Sequence, residues 1–169
     1  DDLRPYVFRQ GVIEAWADKR TLGILRRRFG YCFDAEEGGF YNPLYRANEI
    51  QGTFKAGGLA VTPIPLDHGT IPSLGFRFGR IAYVNDVVAL PAAAFETLRG
   101  VEVMIVDAMR YRPHPTHAHL DLALEWIEQV RPQRAFLTNL HIDMDYAELD
   151  RRTPAHVSPC YDGLMIDEK

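Results

Sequence analysis

Four side chains able to hold a metal ion fall at or just after the ends of apolar runs: His68, Asp86, Asp107 and His141. In the stretch 59–87, LAVTPIPLDHGTIPSLGFRFGRIAYVNDV, two such runs are each followed by one of them, His68 after the first and Asp86 after the second. Strand ends on one side of a sheet form a ligand crevice, so groups in this register are expected to converge. Neutral imidazole and carboxylate together suit Zn²⁺, Mn²⁺ or Fe. Each residue also has a plainer reading. A lone loop histidine is more often a surface or hydrogen-bonding group, and Asp86 follows Asn85 in a turn-forming pair. Asp107 has Arg110 nearby as an ion-pair partner, and His141 leads towards a short helix. Four coincidences in one register favour a single site.

A second histidine cluster, His114, His117 and His119 in RPHPTHAHL, has no recognised zinc spacing. It stands directly before an amphipathic run. A helix N-terminus attracts anions through its free N–H groups and its dipole, and phosphate is the natural candidate. One of the three is therefore a candidate substrate contact.

The elements that must position these groups alternate between strand and helix, which gives an α/β class with layered helices. Residues 1–10 read as a loop leading to a strand at 12–17, VIEAWA. Asp18 then caps a helix to about Phe29 with Leu22, Leu25 and Phe29 on its apolar face. Arg26, Arg27 and Arg28 on that helix read as a solvated run. Residues 30–50 lack periodicity and read as a long loop or lid. Strands are expected at 59–66, 73–79 and 81–85, then a helix in PAAAFETLRG at 91–100, with Pro first and Gly last. VEVMIVDA at 101–108 is a buried strand, LDLALEWIEQV at 120–130 a helix, and RAFLTNL at 134–140 another buried strand. A short helix in HIDMDYAEL and an edge strand at 163–166 complete the series.

A chain of 169 residues suits one domain, taken as 1–169, with a substantial core. Its net charge of −4 argues against a non-specific nucleic-acid binder. Two distant cysteines, Cys32 and Cys160, are too few for a disulfide framework or a zinc knuckle, so a cytoplasmic setting is the default. No apolar run is long enough to span a bilayer, for which about 18 residues are needed. The chain opens at Asp1-Asp2-Leu3 without Met, and a missing front is expected.

Taken together, LDHGTIPSLGFRFG, IAYVNDVVALP, the run from IVDAMRYRPHPTHAHLDL to TNLHIDMDY, and CYDGLMI resemble the metallo-β-lactamase-fold hydrolases, in particular the phosphoribosyl cyclic phosphodiesterases. The opening DDLRPY also resembles the segment that follows that family's His-x-His-x-Asp-His motif, which this chain lacks. The resemblance implies an αββα sandwich holding two divalent metal ions, Zn or Mn. It makes His68 a metal ligand, Asp86 the carboxylate that bridges two metals, and His117 a catalytic group that contacts phosphate or protonates the leaving group. His119 and Tyr161 become candidate substrate contacts, and Asp107 takes a structural role. Relatives usually carry a ligand His at the position of Asn139. Here the nearest is His141, two residues later, and it is the candidate for that ligand place.

The expected function is a metal-dependent phosphodiesterase for a small cyclic or nucleotide-like phosphodiester, attacked by a metal-activated hydroxide. Its ligand would be a small phosphodiester or nucleotide, with no membrane and no extended nucleic acid, and a homodimer is the candidate assembly. A thioester or lactone hydrolase on the same fold is the rival enzyme reading. A non-catalytic fragment that binds a nucleotide or a partner is the rival of another class.

Overall fold

The computed structural model describes residues 2–34 and 42–167, in two compact units, Asp1–Gly58 and Leu59–Lys169.

The first unit begins with α1 (Arg4–Gln10), where the sequence suggested a loop. Pro5 presets φ in the first turn, and Gly11 closes the helix at φ +85. Only Val7 of α1 is buried, so the segment carries almost no periodic signal. Strand β1 (Ile13–Ala17) leads to α2 (Lys19–Phe29). Asp18 caps α2 as expected, its carboxylate accepting the Thr21 N–H at 3.0 Å. Leu22 is buried, whereas Phe29 is 46% exposed. Arg26, Arg27 and Arg28 lie in solvent.

The expected loop over 30–50 is more ordered than its composition suggests. It holds a 3₁₀ turn at Gly30–Cys32 and strand β2 (Tyr45–Glu49), which pairs parallel to β1 with Ile13 opposite Tyr45. Its stretch 35–41 lies outside the described residues. Strand β3 (Phe54–Ala56) ends the unit, and Phe54 stacks on Trp16 with ring centroids 4.5 Å apart.

In the second unit the sheet runs β4 (Leu59–His68), β5 (Ile71–Phe78), β6 (Ile81–Val84), β7 (Val103–Asp107), β8 (Arg134–Thr138) and β9 (Val157–Pro159), each strand paired with the next. The pairs β4–β5 and β5–β6 are antiparallel, and those from β6 to β9 are parallel. Parallel neighbours need crossovers. Helices α3 (Ala92–Leu98), α4 (Leu120–Val130) and α5 (Tyr146–Arg152) supply them. Leu98, Ala123, Trp126, Ile127 and Leu149 from these helices join Ile64, Val84, Met104, Val106 and Leu137 of the strands in one core.

The last strand is not where the sequence suggested. It is Val157–Pro159 rather than 163–166, because Gly163 turns the chain at φ +89 and Met165 beyond it is 85% exposed. Pro159 lacks an N–H and fits an edge strand. Among the described residues no helix is long and apolar enough to cross a membrane.

Candidate metal centre

His68 is the last residue of β4, paired with Ile71 across a two-residue turn. Gly69 takes φ +76 in that turn, and Asp67 accepts its N–H at 2.9 Å. A glycine in the first turn position suits the twist of a tight hairpin. The turn packs so closely on the loop after β7 that a Cβ at Gly69 would lie 2.9 Å from the carbonyl of Pro115 and from Thr116 Cγ2. From this perch His68 Nδ1–H donates to the Thr116 carbonyl at 2.6 Å. That bond fixes the tautomer and leaves Nε2 as the open nitrogen.

Asp86 sits just beyond β6 with φ +58, a left-handed conformation that Asp and Asn tolerate better than other non-glycine residues. Ser73 on β5 donates its hydroxyl to the Asp86 carbonyl at 2.6 Å, fixing the backbone there. The Asp86 side chain is 57% exposed.

His117 comes from the loop before α4. Its Nδ1–H donates to Asp107 Oδ2 at 2.7 Å, and the same nitrogen is 3.8 Å from Asp86 Oδ1. Its ring meets that of His68 edge-on with centroids 4.7 Å apart. Asp107 at the end of β7 is fully buried and also accepts the Val87 N–H and the Asn139 amide, each at 3.2 Å. Asn139, one residue past β8, is itself left-handed at φ +62.

Among the described residues, one group of three His, Cys, Asp or Glu side chains is placed to share an ion. In it His68, Asp86 and His117 each bring a ligand atom within 4.8 Å of the others. The His68 imidazole, with Nε2 open, and the Asp86 carboxylate are donors that fit a divalent cation such as Zn²⁺, and His117 stands beside them. The pairing of β4, β5 and β6 delivers His68 and Asp86 to one edge, and the loop of 108–119 carries His117 back to meet them.

His141 stands apart from this group. Its Nδ1 lies 3.1 Å from Asp143 Oδ2, and its N–H is bound to the Met109 carbonyl. His119 is the N-cap residue of α4, half-buried and without a side-chain capping bond. Tyr161 is 56% exposed and, with Tyr83, Thr138, Asn139 and Cys160, lines a cavity of about 510 Å³. Burial, and then the charges of Asp86 and Asp107, push the Tyr83 phenol up. Burial likewise pushes the Cys160 thiol up.

Asp107, expected to be structural, also holds His117. The available signal was an acid closing a wholly apolar strand, which must find donors once buried. The acceptor part played by the Thr116 carbonyl has no sequence signal, because any residue supplies a carbonyl.

Residues 1–142 match the family model described as Beta-lactamase superfamily domain. A protein of Porphyromonas gingivalis (strain ATCC BAA-308 / W83) named octanoyltransferase is 29% identical over 178 residues, which cover 100% of this chain and 35% of that protein. The crystal structure of a diphosphatase from the PhnP family is 28% identical with a TM-score of 0.88, over 100% of this chain and 65% of that one. The metallo-beta-lactamase fold protein YhfI from Bacillus subtilis is similar in fold alone, at 11% identity and a TM-score of 0.71 over 91% of this chain and 64% of that one. The chain thus spans 35% of the curated relative and 65% of the diphosphatase.

Proposed function

Because this chain belongs to the beta-lactamase superfamily and has its metallo-β-lactamase fold, we propose that it forms part of a metal-dependent phosphodiesterase acting on a small cyclic or nucleotide-like phosphodiester. Members of this superfamily are generally hydrolases, and divalent metal binding is typical of the fold. The observation that carries the reading is the convergence of His68, Asp86 and His117 within 4.8 Å. The 28% identical diphosphatase supports phosphate chemistry over other hydrolyses.

His68 and Asp86 are the residues that would hold the cation, with zinc or manganese the candidates and a second ion possible only with donors from outside this group. A bound divalent cation supplies Lewis acidity towards phosphoryl oxygens and makes water a nucleophile at neutral pH. His117, with Nδ1–H fixed on Asp107, would turn Nε2 to the leaving oxygen, and the doubly protonated ring would pass its Nε2 proton there, keeping Nδ1–H. Asp107 accepts the His117 Nδ1–H and orients the ring, while its three donors hold the carboxyl group still. The cavity beside Asn139, with Tyr83 and Tyr161 on its wall, is large enough for the part of a small substrate that does not react.

A thioester or lactone hydrolase is the second reading, favoured by the acyl-transfer name of the 29% identical relative. The test is turnover by the full-length polypeptide of bis-p-nitrophenyl phosphate against a chromogenic thioester, each with and without chelator. Chelator-sensitive release from the phosphodiester, at least tenfold above the thioester in kcat/KM, is the expected result. The reverse preference would replace the proposal with the acyl reading.

A further inference from the structure

We propose that Asn139 is a positioning residue: from the end of β8 it donates to the buried carboxylate of Asp107 and thereby sets the ring of His117. Asp107 is 0% exposed, so each of its oxygens needs donors from the protein itself. Oδ2 takes the His117 Nδ1–H at 2.7 Å and the Val87 N–H at 3.2 Å. The donor to Oδ1 is the Asn139 amide at 3.2 Å. Without it one face of a buried charge loses its partner, and the carboxylate is free to turn towards its remaining two donors. His117 turns with it, because its Nδ1–H follows Oδ2.

Asparagine is singularly suited to the place. The backbone there has φ +62, which glycine, asparagine and aspartate adopt most readily. Glycine has no donor, and aspartate would set a second carboxylate against the first. The Asn139 amide nitrogen also lies 3.2 Å from His117 Nδ1. Two donors at that distance cannot bond each other, so the contact is accounted for by both being drawn to Asp107. Asn139 lines the cavity of about 510 Å³ as well, which makes it the residue that joins that cavity to the His117 support. The network ties three strand ends together: Val87 follows Asp86 beyond β6, Asp107 ends β7, and Asn139 follows β8.

This inference rests on the proposed function only for why the orientation of His117 matters. Its test is a long-range ¹H–¹⁵N correlation spectrum of the histidine rings in the zinc-loaded full-length polypeptide, with His117 assigned through His117→Gln. The expected spectrum has Nδ1 protonated and its proton shifted downfield by the carboxylate. In Asn139→Gly, which keeps the left-handed backbone, that proton is expected to broaden away and both tautomers to appear. Asn139→Asp is expected to do the same. In both variants kcat falls about 10- to 100-fold, the range for losing a supporting partner at such a site, with KM within threefold. An unchanged His117 spectrum in folded Asn139→Gly and Asn139→Asp overturns the inference. An altered spectrum in a polypeptide that turns over no phosphodiester upholds it and sinks the proposed function instead.

Discussion

At Asp86 the backbone and the chemistry ask for the same small set of residues. A φ of +58 admits aspartate and asparagine more easily than alanine, and only aspartate brings a charge to His68 and His117. Asp86→Asn is therefore expected to keep the fold and weaken divalent-cation binding at least tenfold, read by competition with a chromogenic chelator. Asp86→Ala should lose the same affinity and also about 1 kcal/mol of stability, because a β-carbon without a polar group is poorly placed in the left-handed region. His117→Ala separates holding from catalysis. Loss of a general acid costs about 10²- to 10⁴-fold in kcat. Cation content in that variant should stay within twofold of the parent, if His68 and Asp86 do the holding. His68 and Asp86 were legible in the sequence because each follows an apolar strand. The link between Asp107 and His117 was not, because it depends on how the intervening loop folds back.

Two short elements decide whether those side chains arrive in place. The β4–β5 turn is one. Gly69→Ala must accept φ +76 and a Cβ 2.9 Å from the Pro115 carbonyl and Thr116 Cγ2. Thr116 is the residue whose carbonyl fixes His68. The substitution should lower stability by more than about 1 kcal/mol, the cost of an alanine forced into a positive φ, and weaken cation binding as well, measured by urea unfolding and chelator competition. The other is the start of α2. Removing the Asp18 cap in Asp18→Ala should cost about 1 kcal/mol. The Thr21 hydroxyl, first, and its N–H hold the Asp18 carboxyl below its ordinary value of 3.8. A depressed folded-state value means stabilisation that is fully present above the unfolded value and lost as pH falls through the folded one. Urea midpoints of parent and variant should accordingly differ at pH 7 and approach each other below about pH 4. Helix α4 was readable because Leu120, Ala123 and Ile127 share a buried face at helical spacing. Helix α1 buries Val7 alone, and the tail beyond Pro159 has apolar residues that the Gly163 turn leaves in solvent.

At the scale of the whole molecule, the alternation of strand and helix after Leu59 gave the α/β class, and four parallel strands with helical crossovers bear it out. The first 58 residues were harder, since their small core of Val7, Cys32 and Leu44 is assembled from segments without a shared period. Two divalent ions were expected. Among the described residues three metal-capable side chains come together, and His141, the other expected ligand, lies beside Asp143 instead. Everything proposed about catalysis depends on whether His68 and Asp86 hold a cation beside His117. Elemental analysis of the full-length polypeptide beside its His68→Ala/Asp86→Asn double variant tests this most directly. Near-stoichiometric zinc or manganese in the parent, falling at least severalfold in a variant that remains folded, is the predicted result. Equal metal content in the two would contradict it.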